Sequence, residues 1–156
     1  MIIDDGSAAG AGARLVDRVE IEDLARRYAH GIDERNWDQV DACFRPDADV
    51  TGTQYSGRYP QYIAMLRPAV ERYGTTMHFF GNQLTEMVDG ETARTTTYGI
   101  AYHLGSTSGT EDFVMGVRYR DEVTRSAGTW QIRHRTVQAI WRQPVGAEIQ
   151  SLLPAR

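Results

Sequence analysis

From Gly74 onward apolar residues recur at every second position, and they do so over four runs that are long for strands. Residues 75–88, 91–104, 112–124 and 129–142 each read as one extended segment. Asp89-Gly90 joins the first pair, a dipeptide that favours a tight hairpin between alternating runs. A Ser/Thr/Gly loop at 105–109 and the stretch Ser126-Ala127-Gly128 make the other two turns. Long strands accumulate twist, so a sheet built from them curls. A curled meander buries one face only if a second layer lies against it.

The residues before Gly74 supply that layer. Ile21, Leu24, Ala25, Tyr28, Ala29 and Ile32 recur with helical spacing over about residues 17–32. A short helix over about 37–44 stops before Pro46, which favours extended geometry at Arg45. Residues 47–52 read as a short strand and 54–59 as a polar loop. Pro60 opens a third helix, with Tyr62, Ile63, Leu66, Ala69, Val70 and Tyr73 on its apolar side and Gly74 as its terminator. The expected fold is therefore α+β: a cone-shaped curved antiparallel sheet with three N-terminal helices on its concave side and a pocket between them.

A length of 156 residues fits one domain with a real core. Residues 1–14, acidic and then Gly/Ala-rich, read as a flexible tail and not as a signal peptide. Residues 15–143 form the domain and 144–156 a C-terminal tail. A net charge of −4 without any basic block argues against nucleic acid as a partner. No apolar run approaches the ~20 residues that cross a membrane. The single cysteine, Cys43, has no partner for an internal disulfide; it suits a cytoplasmic location and reads as a small buried hydrophobe. All 17 basic residues are arginines, which excludes lysine Schiff-base chemistry.

Asp33 stands out because it has no evident structural task. It ends the first helix at the border of the apolar stripe, where the negative end of the helix dipole disfavours an acid and is expected to raise its pKa. The next helix does not need it as a cap, since Asn36 can serve, with Gln39 three residues on. In the first long strand His78 shares a face with Phe80, Asn82 and Leu84 by strict alternation. If His78 meets Asp33, the carboxylate holds Nδ1–H and leaves Nε2 as a base. Tyr28, central in the stripe, needs a partner for its buried hydroxyl and could polarise a carbonyl or protonate a leaving group. Tyr55, in the loop, could cover the mouth of the pocket. His103 faces the pocket only if its set, Thr97, Gly99 and Ala101, is the inward one. Arg135, in Arg133-His134-Arg135, could bind an anionic or carbonyl group if it points inward. A two-His-one-carboxylate metal site lacks supporting ligand spacing, and no nucleotide-binding loop occurs. No metal or cofactor is therefore expected.

Tyr28-x4-Asp33, Asn36-Trp37-Asp38, Phe44-Arg45-Pro46-Asp47-Ala48, Met77-His78-Phe79-x2-Asn82 and Gly128-Thr129-Trp130-Gln131-Ile132-Arg133-His134-Arg135 resemble the SnoaL-like branch of the nuclear-transport-factor-two-like superfamily. The likeness runs from about Val16 to Arg142 and is strongest to the group of scytalone dehydratase, bile-acid dehydratase and lindane dehydrochlorinase. It implies that Asp33 and His78 form a catalytic dyad, that Tyr28 matches a catalytic tyrosine of the bile-acid enzyme, and that His103 corresponds to a second histidine of scytalone dehydratase. The dehydrochlorinase has lysine where this chain has Tyr28, which argues against dehydrohalogenation.

The expected activity is that of a cofactor-independent, dehydratase-type lyase on a small apolar cyclic substrate such as a steroid, polyketide or terpenoid. A cyclase or isomerase using the same base is one alternative. A non-catalytic ligand binder or assembly subunit is another, and it predicts either that Asp33 and His78 stay apart or that side chains fill the pocket. Apolar residues on the outer face of the sheet lead to the expectation of a homodimer or higher homo-oligomer.

Overall fold

The computed structural model describes residues 8–107 and 109–146. The helix α1 (Ala8–Asp33) is followed by α2 (Trp37–Ala42), β1 (Phe44–Thr51), β2 (Ser56–Arg58), α3 (Tyr59–Glu71), β3 (Tyr73–Met87), β4 (Thr92–Ser106), β5 (Phe113–Ser126) and β6 (Thr129–Pro144). One six-stranded sheet has the order β2-β1-β6-β5-β4-β3. The fold is α+β, a curved open sheet with helices packed against it.

The expected apolar stripe of α1 is the buried one: Ile21, Leu24, Ala25, Tyr28, Ala29 and Ile32 are all nearly inaccessible. Gly31 lets α2 close on α1, since a Cβ there would meet the Val40 side chain at 2.7 Å. Asn36 caps α2 by accepting from the Gln39 amide. The helix α3 does begin with a proline in its first turn and lies against β1.

The structure differs from the expected layout in four places. The first helix starts at Ala8, so residues 8–14, expected as tail, are helical; alanines there sustain a helix despite the intervening glycines. Residues 1–7 and 147–156, the remainder of both expected tails, lie outside the described residues. The second helix ends at Ala42, and the following strand begins earlier, at Phe44. That strand pairs parallel with β6, so the sheet is mixed, and residues 56–58 of the expected loop add a short antiparallel strand. Finally, β3 begins at Tyr73, which belongs to the sheet and not to α3.

Bulges decide which side chains enter the interior. In β3, Gly81 and Asn82 together oppose Tyr98, because Phe80 pairs with Gly99 and Gln83 with Thr97. In β6, Arg133 is the extra residue between the Ile132–Val123 and His134–Glu122 pairs, and Ile140 the extra one between Ala139–Val117 and Trp141–Gly116.

Candidate active site

Asp33 is the last residue of α1. Arg35, with positive φ of 57°, ends the helix and turns its guanidinium back. It donates to the Ile32 and Asp33 carbonyls, to the Tyr73 carbonyl and to the Thr76 hydroxyl, and so ties the helix end to β3. This clamp holds Asp33 against the strand. One carboxylate oxygen accepts from His78 Nδ1 at 2.7 Å and from the Thr76 hydroxyl at 2.9 Å. The other accepts from the His78 backbone N–H at 2.7 Å. The His78 side chain is 7% exposed and that of Asp33 21%.

The electrostatics of Asp33 reverse the expectation from its helix position. Burial alone raises its pKa, but the His78 side-chain and backbone hydrogen bonds, with the charge of a protonated His78 and the Thr76 hydroxyl, outweigh it and hold the carboxyl below the usual range. Asp33 is thus kept ionised, and a fixed carboxylate on Nδ1–H leaves Nε2 as the nitrogen that can accept a proton.

His103 does face inward. Its set on β4, Ala93, Thr95, Thr97, Gly99 and Ala101, is the buried one. Its ring lies 5.6 Å from that of His78, stacks on Phe113 at 4.4 Å and meets Tyr73 edge-on. Burial, with the nearby His78, pushes its pKa down to about 3, so it is neutral at physiological pH. Its buried Nδ1 has no partner.

Deeper in, Arg135 is enclosed. It makes two bonds of 2.8 and 2.7 Å to Asp121 and sits over the rings of Tyr28 at 4.3 Å, Tyr119 at 4.7 Å and Phe44 at 5.1 Å. Its Nη1 is buried and unpaired. Burial opposes the guanidinium charge, but Asp121 holds it firmly protonated. Tyr28 adjoins Arg135 and Tyr62, and burial raises its pKa. Phe80 lies between the two groups, its ring 6.3 Å from both His78 and Tyr28.

The structure therefore joins Asp33, His78 and His103 at one end of the interior. Tyr28 and Arg135 come together at the other. Tyr55 is set farther out: its ring is 6.0 Å from that of Tyr62 and its hydroxyl donates to the Arg58 carbonyl. Asn82 and Leu84, expected beside His78, do not share its face; the bulge makes Leu84 62% exposed. Cys43 is buried, with its thiol against the Leu24 and Gln39 carbonyls. Among the described residues no cluster of three His, Cys, Asp or Glu could hold a metal ion. No described helix is long and apolar enough to cross a membrane. Thr76, Arg35 and Asp121 were not evident from the sequence. Only the Asp-to-Arg match across two strands could have flagged Asp121, and it depends on the bulge at Arg133.

A model of the SnoaL-like domain matches residues 13–136. The chain belongs to the SnoaL-like family. The uncharacterized protein Rv2910c of Mycobacterium tuberculosis is 30% identical over 128 residues, which is 79% of this chain and 85% of that one. Two solved structures share the fold at lower identity. A candidate scytalone dehydratase of Novosphingobium aromaticivorans superposes with a TM-score of 0.78 at 20% identity, over 87% of this chain and 92% of that one. The hexachlorocyclohexane dehydrochlorinase LinA-type3 of Novosphingobium barchaimii superposes with a TM-score of 0.75 at 20% identity, over 85% and 92%.

Proposed function

We propose that this SnoaL-like protein is a cofactor-independent lyase of the dehydratase type, acting on a small, largely apolar cyclic substrate with an activating carbonyl. The observation that carries this reading is the 2.7 Å contact between a partly buried Asp33 and the Nδ1 of a nearly buried His78. His78 Nε2 takes a proton from carbon next to the carbonyl, and Asp33 holds the tautomer and stabilises the imidazolium. The electron pair moves into the carbonyl to form an enolate, which then expels hydroxide from the adjacent carbon. Tyr28 polarises the carbonyl or protonates the departing hydroxide. Arg135 Nη1 offers a donor to the developing oxyanion, and Tyr55 lies at the outer end of the tyrosine row. Neutral His103 supports His78 without adding charge. The rings around the dyad and Arg135, those of Phe80, Phe113, Tyr28 and Tyr119, favour an apolar ring as substrate. The solved relatives include a candidate scytalone dehydratase and a dehydrochlorinase, which supports elimination as the reaction class. Tyr28 in place of the dehydrochlorinase lysine favours water over chloride as the leaving group. A cyclase or isomerase would use the same enolate.

One observation favours a non-catalytic ligand binder instead. Phe80 lies across Gly99 and packs 5.0 Å from Tyr119, so rings occupy the space between the dyad and Arg135. Incubating the protein with a panel of cyclic β-hydroxyketones separates the readings. The lyase forms the unsaturated ketone and water, and His78→Ala lowers the rate by about 10²–10⁴-fold. Binding without turnover by the wild type across the panel supports the binder.

A further inference from the structure

One ring stands between the two halves of the interior. The centroid of Phe80 lies 6.3 Å from those of both His78 and Tyr28 and 5.0 Å from that of Tyr119. Its plane is inclined by only 23° to that of Tyr28, so the two rings stack. Tyr28 and Tyr119 are buried, whereas Phe80 is only partly so. Gly99, its partner on β4, is the bed of the ring: a Cβ there would come within 2.7 Å of it. On either side a buried polar atom lacks a partner among the described residues. One is Nδ1 of His103, beside His78, and the other is Nη1 of Arg135, beside Tyr28. An interior finished by its own side chains leaves few such atoms, and a ligand with polar ends would satisfy them.

The backbone beneath Phe80 suits a ring that moves. The strand β3 is the edge of the sheet, and directly after Phe80 it leaves the ladder, where Gly81 and Asn82 together oppose Tyr98. A Cβ at Gly81 would meet nothing within 4 Å, so open space adjoins the base of the side chain. We propose that Phe80 holds the place of the substrate's ring and turns aside to admit it, and so sets which rings the interior accepts. The place it vacates is that of one six-membered ring against Tyr28 and Tyr119, with His78 at one end and Arg135 at the other. It selects a monocyclic ketone over a fused ring system. The choice of a ketone rests on the lyase reading; the displacement of Phe80 is a matter of binding alone. Turning the ring costs its contacts with Tyr28 and Tyr119, so the wild type binds below the intrinsic affinity of the site.

NMR titration of the full chain with cyclohexanone and with the fused two-ring ketone 1-decalone tests this. The wild type is expected to bind cyclohexanone weakly, with nuclear Overhauser contacts from the ketone to the Tyr28 and Tyr119 rings and a shift of the Phe80 ring resonances. Phe80→Ala is expected to bind it against the same two rings at least about 10-fold more tightly, because an open state populated at about 10% or less lowers the wild-type affinity by that factor. Its gain for 1-decalone is expected to be larger still. Should Phe80→Ala fold poorly, Phe80→Leu keeps an apolar side chain and is expected to gain in the same direction by less. A wild type without ketone contacts at Tyr28 and Tyr119 overturns the proposal, because the cavity of the variant would then be new. So does equal affinity in the wild type and the folded variants. Tighter binding without turnover upholds the role of Phe80 and sinks the lyase; turnover with unchanged affinity does the reverse.

Discussion

Replacing Asp121 with asparagine tests how the interior is held. The Arg135 and Asp121 side chains are 1% and 6% exposed, so their two bonds are made almost without solvent. Asp121→Asn keeps the shape but leaves a guanidinium with no counter-charge. Breaking a buried pair in this way costs about 3–5 kcal/mol. Two effects place this case at the lower end. The asparagine oxygen still accepts one bond, and the rings of Tyr28, Tyr119 and Phe44 retain cation–π attraction. The expected loss is therefore about 3 kcal/mol, which for a domain of this size lowers the melting temperature by roughly 6–12 °C. Urea unfolding of wild type, Asp121→Asn, Arg135→Met and the Asp121→Leu/Arg135→Met double variant measures it. The double variant is expected to be more stable than either single one, because no buried charge remains unpaired. A loss under about 1 kcal/mol in Asp121→Asn, with additive effects in the double variant, would refute the reasoning.

Two further outcomes follow from the dyad's surroundings. Unfolded, His103 takes up its proton near pH 6.5; folded, only near 3, so acid between those values favours the unfolded chain. The stability it contributes is fully present above about pH 6.5 and is lost as pH falls toward 3. Urea midpoints at pH 7.5 and 5 are expected to drop less for His103→Phe than for wild type, and an equal drop would contradict the assignment. Thr76→Val removes one donor to Asp33 and one acceptor from Arg35, at about 1–2 kcal/mol. It also lets the Asp33 pKa rise, so its carboxyl signal in an NMR titration should move at higher pH than in wild type.

Much of this architecture can be read before any coordinates. The stripe on α1, the Asn36 cap, the Asp89-Gly90 hairpin and the four long strands all rest on local periodicity and turn chemistry, and all are present. What escaped the reading is set by a single extra residue in a strand. Strict alternation from buried Ile132 would send Arg135 outward; the bulge at Arg133 sends it inward to Asp121. The same event in β3 removes Asn82 and Leu84 from the face of His78. A bulge costs little locally and leaves no clear mark in composition, so alternation alone cannot place residues beyond it. The parallel pairing of β1 with β6 is likewise non-local. The direction of the Asp33 pKa cannot be read locally, because the helix dipole is visible in the sequence whereas contact with His78 and Thr76, more than forty residues on, is not.

The central step of the proposed reaction is the removal of a proton from carbon by His78, held by Asp33. That step is seen directly as deuterium uptake from D₂O at the carbon beside the carbonyl of a cyclic ketone, followed by NMR, whatever the later fate of the enolate. Wild type is expected to accelerate the uptake, and both His78→Ala and Asp33→Asn to slow it about 10²–10⁴-fold while remaining folded. Uptake by both variants at the wild-type rate would contradict it.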